Sequence, residues 1–254
     1  MSHQLWNLIN ELQSEKYEWV DLSHSLNNDS PYWAGIPEGA VELSKTVFDW
    51  GNPMLECLIQ TFKFPGQFGT HIDFPGHFVK DAPLSEKFGV KHMLYPLVVI
   101  DISDKVREDE HYAVTVEDIK AFEAKYGDIP DGAFVALNAG WAKNWPDMDK
   151  LSGIDEDGNE NAPGWSLEAL KYIYEVRNAA ANGHETLDTD ASAVAAAGDL
   201  ACERYVLSKG KLQIEVLNNL DKVAPVGALL FATWPNIEQA TGLPVRVLAI
   251  TPKK

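Results

Sequence analysis

The chain has 254 residues, 45% of them hydrophobic, and a net charge of −17. Its length and apolar content predict one domain, residues 1–254, with a substantial core. A surface this acidic repels nucleic-acid backbones and anionic membranes, so we expect neither as a partner. Two cysteines without a CxxC pair, no secretory signal pattern and no apolar run of about 18 residues together predict a cytoplasmic protein.

The first quarter of the chain predicts one helix and three strands. Apolar residues recur at helical spacing in residues 4–14, which predicts a short amphipathic helix. Residues 19–26 (WVDLSHSL) alternate in polarity, as a strand does. Residues 41–50 and 54–64 are typical of two further strands, which flank a Gly-Asn-Pro turn at 51–53.

The remaining elements alternate irregularly between strand and helix. Capping patterns predict two helices, residues 114–127 beginning after Thr115 and residues 166–183 ending at Gly183. Residues 203–220 fit either a helix or a strand. Apolar runs predict strands at residues 96–103, 133–141, 228–234 and 245–250. This mixture predicts an α/β fold with a mixed β-sheet flanked by helices.

The segment QFGTHIDFPGHF, residues 67–78, concentrates the polar groups that can carry chemistry. Gln67, His71, Asp73 and His77 all have odd numbers, and alternate side chains of an extended segment share one face. We therefore expect His71 and Asp73 to point the same way. The Pro-Gly pair that follows them bends the chain, which can bring His77 back over the same pocket.

This pattern favours a metal site over a polar turn. An imidazole and a carboxylate two residues apart are good ligands for Zn²⁺ or Mn²⁺, and the second histidine is then free to act as a base. The alternative is a histidine with a satisfied hydrogen bond in a turn, which is the commoner reading of a lone His-x-Asp. The full array, with Thr70 and Pro75 in place, favours the metal site.

The motif GTHIDFPGH resembles the signature HxGTHxDxPxH of the cyclase-like metal-dependent hydrolases, a family that includes bacterial kynurenine formamidase and isatin hydrolase. WVDLSHSL, PYWAG, GHETLDTD (183–190), IEVLNNLD (214–221) and the terminal GLPVRVLAI are similar to other blocks of that family. The resemblance implies an α/β fold of the swivelling βαβ type, a small-molecule substrate and a homodimer or homotetramer.

The resemblance also implies site residues by position. The metal ligands of the motif fall on Gln67, His71 and Asp73, and the general base falls on His77. A late glutamate ligand matches Glu215. A further ligand, a histidine in the formamidase branch, falls on Glu203.

Gln67 and Glu203 depart from the formamidase pattern, and each replaces a nitrogen donor by an oxygen donor. Oxygen donors shift the preference from Zn²⁺ toward harder ions such as Mn²⁺. We therefore expect one tightly held divalent ion, Mn²⁺ rather than Zn²⁺, and leave a second ion open.

Four more residues are candidates for substrate binding. Tyr32 and Trp33 lie in a Pro-rich loop and are interpreted as an apolar wall for a flat substrate, with ordinary loop packing as the alternative. His184 and Glu185 are interpreted as lining the pocket or, equally, as a polar loop start. His24 is expected to be structural.

The sequence therefore predicts a metal-dependent hydrolase in which metal-activated water cleaves an amide-type C–N bond of a small aromatic or cyclic substrate, by arylformamidase-like or ring-opening hydrolysis. Hydrolysis of a lactone or ester is one alternative. A decayed homologue that only binds a metal or ligand is the other, because two ligand positions are substituted. No GxSxG motif supports a serine hydrolase.

Overall fold

The computed structural model describes residues 3–193 and 199–253. Within them, nine strands form one mixed sheet. Two further pairs of strands lie outside this sheet. The predicted α/β fold with a mixed sheet is confirmed.

The strands are β1 Tyr17–Asp21, β2 Glu42–Phe48, β3 Ile59–Lys63, β4 His71–Asp73, β5 Leu94–Asp101, β6 Ala113–Val114, β7 Phe134–Asn138, β8 Gly164–Trp165, β9 Ala181–His184, β10 Leu212–Glu215, β11 Ala228–Thr233, β12 Gly242–Pro244 and β13 Arg246–Pro252. Their order in the sheet is β1-β13-β11-β5-β7-β9-β10-β4-β12, and the separate pairs are β2-β3 and β6-β8. The α-helices are α1 Gln4–Leu12, α2 Ser103–Glu108, α3 Val116–Tyr126, α4 Met148–Ser152, α5 Leu167–Lys171 and α6 Ala201–Ser208. No helix in these described ranges is long and apolar enough to cross a bilayer.

Most of the predicted elements are present, with shifted ends. The helix over 114–127 is α3, and the Thr115 hydroxyl and the Asp118 carboxylate form a complete capping box at its start. The strand predicted over 19–26 is wrong in its second half. There Ser23 leaves the β1 ladder, because its hydroxyl is bonded to the backbone of Val247 instead.

The helix predicted over 166–183 is also wrong beyond its first turns. Ser166 caps α5 as expected, and a π-helical segment, Tyr172–Val176, continues it. The last residues form β9, which lies between β7 and β10 in the sheet. Alanine has the highest intrinsic helix propensity, but such propensities are small, and pairing with two strands overrides them here. The ambiguous stretch 203–220 contains both elements, since most of α6 and all of β10 fall within it.

Two apolar layers cover the two faces of the sheet. In β5, Leu97 and Val99 join one cluster, with residues of β1, β11 and β13, while Val98 and Ile100 join the other. The second cluster contains the buried faces of α3, α5 and α6, with side chains such as Ile119, Leu170 and Val206. This alternation is expected of strands buried on both sides. The short strands β10 and β4 lie beyond β9 in the same sheet.

Candidate metal centre

The pairing of β4 with β10 builds the centre of the site. The two strands are antiparallel, and His71 lies opposite Glu215 while Asp73 lies opposite Gln213. Residues opposite one another in an antiparallel pair have adjacent side chains on the same face. Four polar side chains therefore meet on one face of two short, buried strands.

The turn before β4 is held by backbone geometry and by one hydroxyl. Gly69 has φ +60°, which a residue with a side chain rarely adopts, and it reverses the chain into the strand. The Thr70 hydroxyl donates to the Val216 carbonyl at 2.7 Å and accepts the His24 backbone N–H at 2.9 Å. These contacts fix the position at which His71 begins the strand.

His71, Asp73 and Glu215 bring three donor atoms together. The His71 Nε2 atom is 3.5 Å from Asp73 Oδ2 and 3.3 Å from Glu215 Oε2. The Nδ1 atom donates to the Gly69 carbonyl at 2.8 Å. Because a carbonyl can only accept, Nδ1 carries a proton, so when the ring is neutral its lone pair is on Nε2, which faces the two carboxylates. The predicted common face of His71 and Asp73 is confirmed.

The electrostatics of His71, Asp73 and Glu215 favour the binding of a cation. Burial alone would lower the pKa of His71, but Asp73 and Glu215 outweigh it and raise that pKa well above its usual value. Burial raises the pKa of Glu215 to about 8, with Asp73 contributing in the same direction. The buried His71 Nε2 also lacks a hydrogen-bond partner. A divalent ion at the three donor atoms would satisfy both the carboxylates and Nε2, so the residues fit a metal.

Gln213 is a site residue that the sequence analysis missed. Its amide nitrogen is 3.3 Å from Asp73 Oδ2, 3.0 Å from Glu203 Oε1 and 3.0 Å from Glu215 Oε1. One amide has two N–H donors for these three carboxylates, so Gln213 cannot satisfy all of them. The polar and apolar alternation in β10 (LQIE) was the signal that could have identified Gln213 as a neighbour of Glu215.

Glu203 reaches the group from α6. Its carboxylate is buried and accepts from Gln213, and burial, with Glu215 and Asp73 nearby, raises its pKa well above the usual range. The start of α6 is held by the Asp190 carboxylate, which accepts the backbone N–H groups of Cys202 and Glu203. The structure thus places the predicted ligand Glu203 beside the cluster, and its ligand role stays a prediction.

Gln67 also lies beside the cluster, on the far side of Asp73. Its amide nitrogen donates to Asp73 Oδ1 at 3.0 Å. Burial would raise the pKa of Asp73, but the neighbouring His71 and His77, with a smaller contribution from this hydrogen bond, hold it below its usual value. The structure therefore brings together all five predicted metal-site positions.

His77 lies at the open edge of the site. The Pro-Gly bend forms a short 3-10 turn, Pro75–His77, and the side chain of His77 is 30% exposed. Its Nε2 atom is 3.9 Å from Glu203 Oε1. Partial burial lowers the pKa of His77. A neutral, partly exposed imidazole beside a buried acidic group is suited to take up a proton.

His184 and Glu185 are buried, not exposed in a pocket wall. His184 Nε2 lies 3.3 Å from Thr189 Oγ1 and 3.5 Å from Glu215 Oε1, and burial lowers its pKa to about 3. His184 therefore contacts Oε1 of Glu215, whereas His71 faces Oε2 of the same carboxylate. The Glu185 carboxylate accepts the backbone N–H groups of Ala139 and Trp141, both at 2.9 Å. Glu185 therefore binds the backbone of the loop that follows β7, and these contacts do not support its predicted contact with the substrate.

The two aromatic candidates differ in their surroundings. Tyr32 makes an edge contact with Phe68 at 6.5 Å between ring centroids, and Phe68 stacks on Phe64 at 6.2 Å. Trp33 is 68% exposed. Tyr32 therefore belongs to an aromatic cluster that begins next to Gln67, whereas Trp33 points to solvent; substrate contact by either stays a prediction.

Comparisons with known proteins find relatives of this chain in both sequence and fold. The Cyclase family model matches residues 20–191. Isatin hydrolase from Roseibium aggregatum is 31% identical over 190 residues, 73% of this chain and 72% of that protein. Kynurenine formamidase from Bacillus thuringiensis is 31% identical over 87 residues, 34% of this chain and 40% of that protein. The solved structure of isatin hydrolase A from Labrenzia aggregata, bound to benzyl benzoate, superimposes with a TM-score of 0.87 at 28% identity, covering 99% of this chain and 100% of that one.

Proposed function

The chain belongs to the Cyclase family and is a hydrolase of non-peptide carbon–nitrogen bonds, and from that premise we propose that it uses a bound divalent ion to hydrolyse the amide of a small aromatic or cyclic substrate. One observation carries the proposal: the buried Nε2 of His71, which makes no hydrogen bond, faces two buried carboxylates at 3.3 and 3.5 Å.

His71, Asp73 and Glu215 would hold the ion, with Glu203 as a further oxygen donor beside them. Such an ion lowers the pKa of water and stabilises negative charge on the attacked carbonyl oxygen. A set of one imidazole and several carboxylate oxygens favours Mn²⁺ over Zn²⁺. The native ion is accordingly proposed as Mn²⁺.

His77 is proposed to be the general base. Its lowered pKa leaves the imidazole neutral at pH 7, so Nε2 can accept a proton from water and then donate it to the leaving nitrogen. Glu203 Oε1 lies 3.9 Å from His77 Nε2; beside a bound cation this carboxyl would be ionised and could stabilise the imidazolium that forms between the two steps. Gln213 and Thr189 keep the carboxylates oriented during this cycle, through the amide and hydroxyl contacts of 2.8 to 3.3 Å.

The substrate class follows from the named relatives and from the aromatic cluster. Isatin is a cyclic amide fused to an aromatic ring, and formylkynurenine is an aryl formamide. The longer match is to isatin hydrolase, so ring opening of a cyclic aryl amide is proposed first and deformylation second. The rings of Tyr32 and Phe68 offer an apolar surface for a planar substrate.

An assay of chelator-treated protein tests the proposal. Treated protein is mixed with Mn²⁺ or Zn²⁺ and then with isatin, formanilide or an aromatic lactone. We expect hydrolysis of isatin to be restored by Mn²⁺, and His71→Ala protein to stay inactive under the same conditions. A preference for the lactone would support the ester alternative. Less than about half an equivalent of bound ion together with no activity would reject the hydrolase and favour a homologue that only binds ligands.

We also propose that the chain assembles into a homodimer or homotetramer in the cytoplasm. Support comes from large apolar side chains that are exposed on α1 and around the β2-β3 hairpin. They include Leu5, Trp6, Leu8, Ile9, Trp50, Met54 and Phe62. Apolar surface in such clusters usually marks an interface. Light scattering on the purified protein would measure the mass, and a monomer at micromolar concentration would contradict the proposal.

A further inference from the structure

The two oxygens of Asp73 have different environments. Oδ2 faces the cluster, 3.5 Å from His71 Nε2 and 3.3 Å from the Gln213 amide nitrogen. Oδ1 faces the other way and accepts the Gln67 amide nitrogen at 3.0 Å. The carboxylate itself is fully buried. One oxygen is therefore available to an ion, and the other is occupied by a protein donor.

Gly242 makes room for this contact. It lies opposite Asp73 in the β12-β4 pair. A Cβ atom at position 242 would lie 2.2 Å from the Gln67 amide nitrogen and 2.9 Å from Asp73 Oδ1. Both distances are shorter than non-bonded atoms tolerate. The Gln67 amide thus occupies space that exists only because residue 242 has no side chain.

We propose that Gln67 is a positioning residue and not a metal ligand: its N–H holds Asp73 Oδ1, so that Asp73 meets the ion through Oδ2 alone. This inference rests on the proposed function, because it concerns the same ion. An amide nitrogen has no lone pair to give to a cation, and its N–H dipole directs positive charge at the place where a second ion would bind Oδ1. The site consequently holds one ion, and Gln67 sets the direction from which Asp73 reaches it.

The test compares ion binding by wild type, Gln67→Met and Gln67→Glu at pH 8. Isothermal titration with Mn²⁺ into chelator-treated protein gives the affinity and stoichiometry. We expect one ion in wild type and an affinity at least tenfold weaker in both variants, as is usual when a partner of a ligand is lost. Gln67→Glu is the decisive variant. If residue 67 is a hydrogen-bond donor, the new carboxylate repels Asp73 Oδ1 and weakens Mn²⁺ binding. If residue 67 is a metal ligand, the new carboxylate binds Mn²⁺ more tightly than an amide does. Gln13→Glu makes the same chemical change at an exposed position after α1 and should leave the affinity unchanged.

Two further readouts separate positioning from a structural role. The visible absorption of Co²⁺-loaded Gln67→Met should match that of wild type, since no ligand has been removed. Gly242→Ala should weaken Mn²⁺ binding at least as much as Gln67→Met does, because its methyl group displaces the amide.

The outcomes distinguish this inference from the proposed function. Tighter binding by Gln67→Glu, two ions in wild type or an altered Co²⁺ spectrum in Gln67→Met would overturn the inference alone. Wild-type protein that binds no ion would overturn the proposed metal centre and the inference with it. If Gly242→Ala does not fold, the Gln67 variants still decide the matter.

Discussion

Replacing His77 by asparagine should remove most of the activity and leave the bound ion in place. General-base catalysis contributes about 10²–10⁴-fold, which corresponds to about 3–5 kcal/mol of activation free energy. The ion should remain, because the donor atoms of the metal group come from β4 and β10, whereas His77 Nε2 lies outside that group, 3.9 Å from Glu203.

The pH dependence of activity provides a second test of the role of His77. Burial lowers the pKa of His77, and a nearby cation would lower it further by disfavouring imidazolium. Activity of the wild type should therefore rise with pH through an apparent pKa below the usual 6.5 and then stay level. The kcat/KM of His77→Asn, measured on the same substrate, should lack this acid limb, while His92→Asn, which changes an exposed histidine, should keep it. The reasoning is refuted if the acid limb persists in His77→Asn or if kcat/KM falls less than about tenfold.

Three other predictions concern the ion, the packing and the acid stability. His71→Ala and Asp73→Ala should lose both the ion and activity, and unchanged metal content by elemental analysis would show that they are not ligands. Gly183→Ala should cost about 1–3 kcal/mol, or several degrees in Tm, because its Cβ would lie 2.7 Å from the Ile214 carbonyl oxygen; calorimetry showing no change would contradict this packing. His24 has a pKa lowered to about 4 by burial, below the unfolded value of about 6.5, so the unfolded chain binds the extra proton between these values and stability falls as pH drops below 6.5. Thermal melts of His24→Phe between pH 7 and 5 should show a shallower decline than wild type, and an equal slope would exclude His24 as a cause.

The sequence correctly predicted the elements that depend on interactions between residues close together in the chain. The capping box at Thr115 is complete within four residues, and the helix it starts was predicted almost to its ends. The prediction of one helix over residues 166–183 failed because the structure of its last residues depends on pairing with strands that are distant in sequence. Gly183 packs against the Ile214 carbonyl and the Phe134 ring, and the residues next to it in the sequence give no sign of those contacts. The same holds for Gln67, whose contact with Asp73 depends on a glycine at position 242.

The apolar core determines how the polar site is assembled. Ile72 lies directly opposite Ile214 in the β4-β10 pair, and both are buried in the same apolar cluster. A slip of one residue between these strands would exchange the two faces and expose that pair to the polar side. The free energy of burying Ile72 and Ile214 therefore also maintains the register that sets His71 against Glu215. The hydrophobic contacts on one face of these short strands thus fix the geometry of the polar groups on the other face.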